Sequence, residues 1–255
     1  MFGALSSLRD RPLPELAFLH AVWEDRAPRP IAEAPGAARL VPASDYGLRG
    51  RNYYSIARNP PYWHCVPGSI PDLLLRPQVG EKLAAIDARL ALEGVRLFLH
   101  DAWRPRAVQA YFHDVWFPAH LRKSQPDLSE AELALEVRKY WSPPSRAGAP
   151  APHSTGGAVD VALVWQDDGE PLFMGSLFDD GSPLSHLDHF EHEGPWPSCF
   201  SHAEARANRR LLYWVMTQEG FCPQPHEWWH FSYGDAAWAR YVGAAEALFG
   251  TARED

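Results

Sequence analysis

The sequence predicts an α+β fold: a single domain in which helices pack against a small, antiparallel-rich sheet. Two observations lead there. Segments with helical hydrophobic spacing are mixed with segments that alternate or run continuously apolar, and the order lacks the strict strand–helix–strand rhythm of a parallel sheet. At 255 residues, 46% hydrophobic and 22% charged, the chain is also long enough for one large core.

Residues 1–78 hold 11 of the 24 prolines. Proline removes backbone donors and breaks periodicity, so this part is expected to be an irregular N-terminal wrap, mostly extended or looped. Its Tyr53, Tyr54, Tyr62 and Trp63 need cover, which favours a wrap over a loose tail. Residues 79–255 are expected to form the core proper, within one domain overall. Val79, Leu83, Ile86 and Leu90 fall on one helical face, and Gly94 stops the helix. Val95, Leu97 and Leu99 alternate with Arg96, Phe98 and His100, giving a strand that ends near Asp101. Pro105 suits the first turn of a helix over about 105–122. Ser129 and Glu132 form a capping-box pair for a helix reaching about Trp141, and 142–152 reads as a loop. The run AVDVALVW, Ala158–Trp165, is a mostly buried strand. Ser201 with Glu204 suggests a second capping box opening a helix to Gly220. Residues 227–233 (EWWHFSY) read as an aromatic strand. Asp235 caps a last helix carrying Trp238, Val242, Ala245 and Leu248, closed by Gly250.

Composition excludes several function classes. With 24 Lys and Arg against 32 Asp and Glu, the net charge of −8 lacks the footprint of a nucleic-acid partner. No apolar run approaches the ~18–20 residues of a membrane helix, so no membrane partner is expected either. The first residues do not lead from basic to apolar as a secretory signal does, which makes the cytoplasm the expected compartment. Cys65, Cys199 and Cys222 are odd in number and far apart, so they read as small hydrophobes rather than a disulfide framework or zinc finger.

Three short segments carry chemistry. In HSTGGAVD, residues 153–160, a histidine precedes a Gly-Gly turn and an aspartate sits inside an apolar strand. Burying Asp160 among Val159, Val161 and Leu163 is costly unless its charge is met, and a divalent cation would meet it; His plus carboxylate is a usual zinc set. In HEWWH, residues 226–230, the letters match the zincin helix motif. Pro223, Pro225 and Gly234 crowd the run and its aromatics favour a strand, so Glu227 and His230 are taken as functional and His226 as incidental. On such a strand Glu227 reaches a metal only through a bend or bulge. In DAWRP, residues 101–105, Arg104 lies at a strand exit, where it could stabilise negative charge on a tetrahedral intermediate. Together these give His153, Asp160 and His230 as three ligands with an open fourth position, Glu227 as base and Arg104 as electrostatic stabiliser.

These segments resemble the VanX-type zinc D-Ala-D-Ala dipeptidases, within the group of D,D-peptidases that shares a fold with the Hedgehog signalling domain. MGSLFD, residues 174–179, the run NRRLL from Asn208, and Gly220-Phe221 before EWWH are similar to the same branch. The similarity covers about residues 79–241. It implies one zinc ion per chain on His153, Asp160 and His230, Glu227 as catalytic base, Arg104 assisting the transition state, and Asp179 facing the free ammonium of a small dipeptide substrate. The chain departs from the pattern at Ala151, where the family has Ser, in its longer Pro-rich front, and in the loop around His186, His189 and His192. Pro183 and Gly194 bracket that loop and its acidic residues mark it as solvated rather than as a second metal site. The alternatives are a D,D-carboxypeptidase acting on longer peptidoglycan peptides, a non-enzymatic zinc-containing binding domain, or a zincin if 227–230 is helical.

Overall fold

The protein is described by a computed structural model, which covers residues 5–25, 27–34, 37–146, 148–192 and 199–253. Its centre is a five-stranded sheet. In sheet order the strands are β2 (Arg49–Gly50), β4 (Val95–Asp101), β5 (Ala158–Trp165), β7 (Glu227–Ser232) and β6 (Cys222–Gln224). Only the β2–β4 pair is parallel. A two-stranded antiparallel ribbon, β1 (Val41–Pro42) with β3 (Leu74–Leu75), stands beside it. The α+β class with an antiparallel-rich sheet is what the mixed periods imply.

The strands follow their residue patterns. β4 alternates, burying Val95, Leu97, Leu99 and Asp101, and α3 (Pro77–Ala91) packs its Val79, Leu83, Ile86 and Leu90 face against it. β5 is buried at every position but Trp165, as a central strand covered on both faces must be. Pro77 opens α3 at its first turn. The Ser129 capping box forms on α6 (Glu130–Tyr140): Glu132 N–H donates to Ser129 Oγ, and Ser129 N–H donates to the Glu132 carboxylate at 2.9 Å.

Three expectations need correction and one needs an addition. The front is mostly extended or looped, as expected, but it also contains α1 (Ser6–Asp10) and α2 (Ala17–Glu24). Leu16, Leu19, Val22 and Trp23 keep helical spacing between the flanking prolines and are all buried, with α2 against β6 and α8 (Ala236–Tyr241). The helix expected over 105–122 is divided into α4 (Arg106–Ala110), a wider π-helical segment (Tyr111–Trp116) and α5 (Phe117–Ser124). Pro118 lacks an N–H and its ring collides with the carbonyl four residues back, so the regular ladder cannot run through it. The Ser201 cap is absent: α7 (Phe200–Gln218) begins at Phe200, leaving Ser201 inside the first turn, while the Glu204 carboxylate accepts from Asn208 Nδ2 at 2.9 Å. Finally, α8 has its Asp235 cap, with Trp238 N–H donating to Oδ1 at 2.8 Å, but ends at Tyr241. Gly243 then turns with φ 71°, and the chain returns to bond Leu248 and Phe249 N–H to the Gly234 carbonyl.

α7 does a second job. Arg209, fully enclosed, donates from Nε to Met174 O at 2.7 Å, from Nη1 to His186 O at 2.6 Å and from Nη2 to Leu184 O at 2.7 Å. Asn208 Nδ2 donates to Phe173 O at 2.9 Å. One helix face therefore pins both ends of the loop that carries Asp179. Removing the donor leaves the buried Met174 carbonyl and two part-buried carbonyls without their partner, and an unpaired buried group costs ~1–3 kcal/mol. Arg209→Met should lower the unfolding free energy by about 1–3 kcal/mol in denaturant titration. The HLDHFEH segment is a loop as expected, with His192 Nε2 3.1 Å from Asp188 Oδ2 and His186 Nε2 3.2 Å from Tyr140 OH; its flanking Gly194 lies outside the described residues. No helix among the described residues is long and apolar enough to cross a membrane.

Candidate metal centre

Three strands converge on one point. β5 places Asp160 directly opposite His230 of β7 and opposite Asp101 of β4. The turn before β5 supplies the third residue. Residues Pro152–Thr155 form a tight 3-10 turn that Gly156 ends at φ 72°. Gly157 follows so close to the next strand that a Cβ there would lie 2.1 Å from the Tyr233 carbonyl, so the glycine pair is what brings His153 back over β5.

The donor atoms meet. His153 Nε2 lies 3.1 Å from His230 Nδ1, His230 Nδ1 lies 3.1 Å from Asp160 Oδ1, and His153 Nε2 lies 3.4 Å from Asp160 Oδ1. All three residues are buried, and among the described residues they form the group able to hold a metal ion. Bonds of ~2.0–2.1 Å around a tetrahedral ion put neighbouring nitrogen and oxygen donors roughly 3.3 Å apart, so the spacing fits. The proton arrangement fits as well. His153 Nδ1 faces the Ala102 carbonyl at 2.8 Å, which can only accept, so Nδ1 carries the hydrogen and Nε2 aims a lone pair at the centre. His230 Nε2 faces Ser232 Oγ at 3.2 Å. Burial holds the His230 imidazole below its ordinary pKa, hence neutral, as a ligand must be. Burial pushes the Asp160 carboxyl upward, but His153 and His230 outweigh it and hold the group below the usual carboxylate range.

Asp101 and Asp160 side by side would repel, and Arg104 resolves this. Its Nε donates to Asp101 Oδ2 at 2.7 Å, Nη1 to Gln109 Oε1 at 2.9 Å, and Nη2 to Asp160 Oδ2 and to Tyr54 OH, each at 3.2 Å. The guanidinium also lies over the Tyr54 and Trp141 rings, 4.9 and 5.0 Å from their centroids. This is a buried cation held rigidly beside the centre, unlike a surface arginine.

Glu227 is buried with Oε2 3.8 Å from His230 Nδ1. Its approach depends on a bulge. β6 and β7 pair Pro223 with Phe231 but Gln224 with Glu227, so β7 carries three extra residues between adjacent partners. Glu227 and His230 thereby reach the same side, and because β7 is a strand the zincin helix is excluded. Burial, with Asp160 and Asp179 nearby, drives the Glu227 carboxyl well above the usual range, against the pull of Arg104. His226 lies outside the donor group, packed edge-on to His20 and His186 at 5.1 and 4.9 Å; burial lowers its pKa to about 3.

Asp179 has the left-handed φ of 62°, rare for a non-glycine residue. Its Oδ2 accepts from Tyr54 OH at 2.7 Å and from Tyr62 OH at 2.9 Å. Burial pushes its carboxyl up to about 7, although Arg104 and the two hydroxyls oppose the shift. Tyr54, Tyr62, Asp101 and Gln109 had no assigned role in the motifs. DAWRP contains Asp101, whereas nothing in the pattern around the tyrosines separates site residues from wrap residues.

A cavity of about 480 Å³ opens over the centre and is lined by His153, Asp160, His230, Glu227, Arg104 and Asp179, with aromatic walls from Trp23, Tyr140, Trp141 and Trp229. A concave, partly apolar space with converging polar groups is what a small-molecule site requires.

The chain is similar to known proteins. A family model described as peptidase M15, D-ala-D-ala dipeptidase, matches residues 71–246. A D-alanyl-D-alanine dipeptidase of Synechocystis sp. is 33% identical over 168 residues, covering 60% of this chain and 66% of that protein. One from Enterococcus faecium is 32% identical over 158 residues, covering 60% and 70%. Among solved structures, a vancomycin-resistance D,D-pentapeptidase, VanY, in complex with Zn(II) matches at a TM-score of 0.43 with 11% identity, over 86% of this chain and 92% of that one. With its model matching more than half of the chain, the family is established: this protein belongs to the D-Ala-D-Ala dipeptidase family of the M15 peptidases.

Proposed function

We propose that the protein is a zinc metallopeptidase that hydrolyses D-Ala-D-Ala or a similar small dipeptide. The observation that carries this reading is the convergence of His153 Nε2, His230 Nδ1 and Asp160 Oδ1 at tetrahedral spacing in the floor of the cavity. The curated relatives named above support the substrate class.

His153, Asp160 and His230 would hold one zinc, leaving the fourth position open. Zinc, when bound, makes water nucleophilic near neutral pH and polarises a peptide carbonyl. Glu227 takes up the water's proton at a carboxylate oxygen and passes it to the leaving amine. Burial and the neighbouring Asp160 and Asp179 raise its pKa, which favours its holding that proton between the two steps. Arg104 sets a fixed positive charge beside the bond under attack, where negative charge grows on the carbonyl oxygen. Tyr54 joins Arg104 to Asp179, and Asp179 holds the ammonium of the free dipeptide. That ammonium would draw the Asp179 carboxyl back down into its ionised form.

Substrate length tests this reading. N-acetylation removes the ammonium and leaves the Asp179 carboxylate without its partner. Breaking a buried pair typically costs ~3–5 kcal/mol, so N-acetyl-D-Ala-D-Ala should be cleaved on the order of hundreds-fold more slowly than D-Ala-D-Ala. Asp179→Ala should slow cleavage of the free dipeptide and shrink that preference. Equal turnover of the free and blocked peptides would instead identify a D,D-carboxypeptidase.

A further inference from the structure

Two cavities share a stretch of wall. The cavity over the metal centre and a second one of about 190 Å³ share Trp23, Arg138, Ser142 and Pro152 in their walls. Trp23 stands near the C-terminal end of α2, outside the residues that match the family model. It is buried and fixed at two points: Nε1 donates to the Pro223 carbonyl at 2.7 Å, and the ring meets His230 edge-on, with centroids 5.4 Å apart. A fixed indole therefore stands in the wall between the catalytic space and the smaller cavity.

A continuous line of contacts places this wall relative to the substrate. It runs from Asp179 to Tyr54, from Tyr54 to Arg104, from Arg104 to Asp160, from Asp160 to His230, and from His230 to Trp23. Asp179 and Trp23 are the two ends, with the metal donors between them. With the ammonium at Asp179 and the peptide bond at the donors, the Trp23 end of this line is left for the C-terminal residue.

We propose that Trp23 is the specificity-determining wall of the leaving-residue pocket, admitting a methyl side chain and rejecting larger ones. The inference rests on the dipeptidase reading above. A side chain larger than alanine's would have to displace an indole anchored to β6 and to a metal ligand, and a single methylene in such a pocket already discriminates by ~10–200-fold. Shortening the indole opens the catalytic space toward the second cavity, on the side where a larger side chain would need room.

The test compares kcat/KM of the zinc-loaded enzyme for D-Ala-D-Ala, D-Ala-D-Leu and D-Ala-D-Phe, with D-Leu-D-Ala as the control for the other residue. The wild type should favour D-Ala-D-Ala. Trp23→Ala should shrink that preference by about tenfold or more, mainly by lowering KM for the bulky substrates, and leave the ratio for D-Leu-D-Ala unchanged. Trp23→Leu, which keeps an apolar side chain against His230, should widen the pocket to a lesser degree; it carries the test if Trp23→Ala loses zinc. An unchanged preference in a variant that retains zinc and cleaves D-Ala-D-Ala overturns the proposal, as does widening confined to the N-terminal residue or a wild type that does not discriminate. Failure of the wild type to cleave any free dipeptide is a separate result; it overturns the dipeptidase reading and the inference with it.

Discussion

Glu227→Gln is expected to lower kcat on D-Ala-D-Ala by ~10²–10⁴-fold while zinc content stays at about one ion per chain. Glutamine keeps the size and the strand position but cannot take a proton from water or return it to the leaving amine. The metal survives because Glu227 is not one of the three converging donors, its Oε2 lying 3.8 Å from His230 Nδ1. Substituting this residue also removes a carboxyl that burial drives toward its neutral form, so the variant should fold at least as stably as the wild type. Zinc measured by elemental analysis alongside kcat separates the two roles, and loss of the ion in Glu227→Gln would make Glu227 a ligand rather than the base.

His153→Ala and His230→Ala are each expected to empty the site and reduce hydrolysis to background. Two donors leave a zinc ion without the ligand set that a stable site needs. Each change also strands a carboxylate, because Asp160 is held ionised by both histidines. His226→Ala provides the control. Its ring packs among His20, His186 and Tyr140 rather than against the donors, so that variant should keep both zinc and activity. An empty site in His226→Ala would overturn the assignment of the ligands.

Two of the three candidate donors were legible because packing alone accounts poorly for them. An aspartate inside AVDVALVW calls for a partner to its charge, a histidine before a Gly-Gly turn stands beside it in the sequence, and β5 with its preceding turn brings them together. The aromatic run decided between strand and helix for Glu227 and His230, and the bulge on β7 completes the argument. Tyr54 and Tyr62 were not readable as site residues. They act on Asp179 across more than a hundred positions, from a Pro-rich stretch whose local pattern says only that aromatics need cover. Helix α2 was hidden by its proline neighbours, although its buried positions keep a regular spacing. The Ser201 capping pair failed for a different reason. A cap motif marks where a helix can begin, and entry two residues earlier, with Cys199 in the cap position and Phe200 as the first helical residue, leaves the serine with nothing to cap.

Release of D-alanine from D-Ala-D-Ala, followed with the purified protein before chelation, after chelation and after zinc is returned, is the most direct measurement. Rapid release should stop when the metal is stripped and recover as zinc is restored to about one ion per chain, the content of a three-ligand open site. Release that persists after the zinc has been removed, or no release from a chain holding its full complement of zinc, would contradict the reading of this centre as the site of dipeptide hydrolysis.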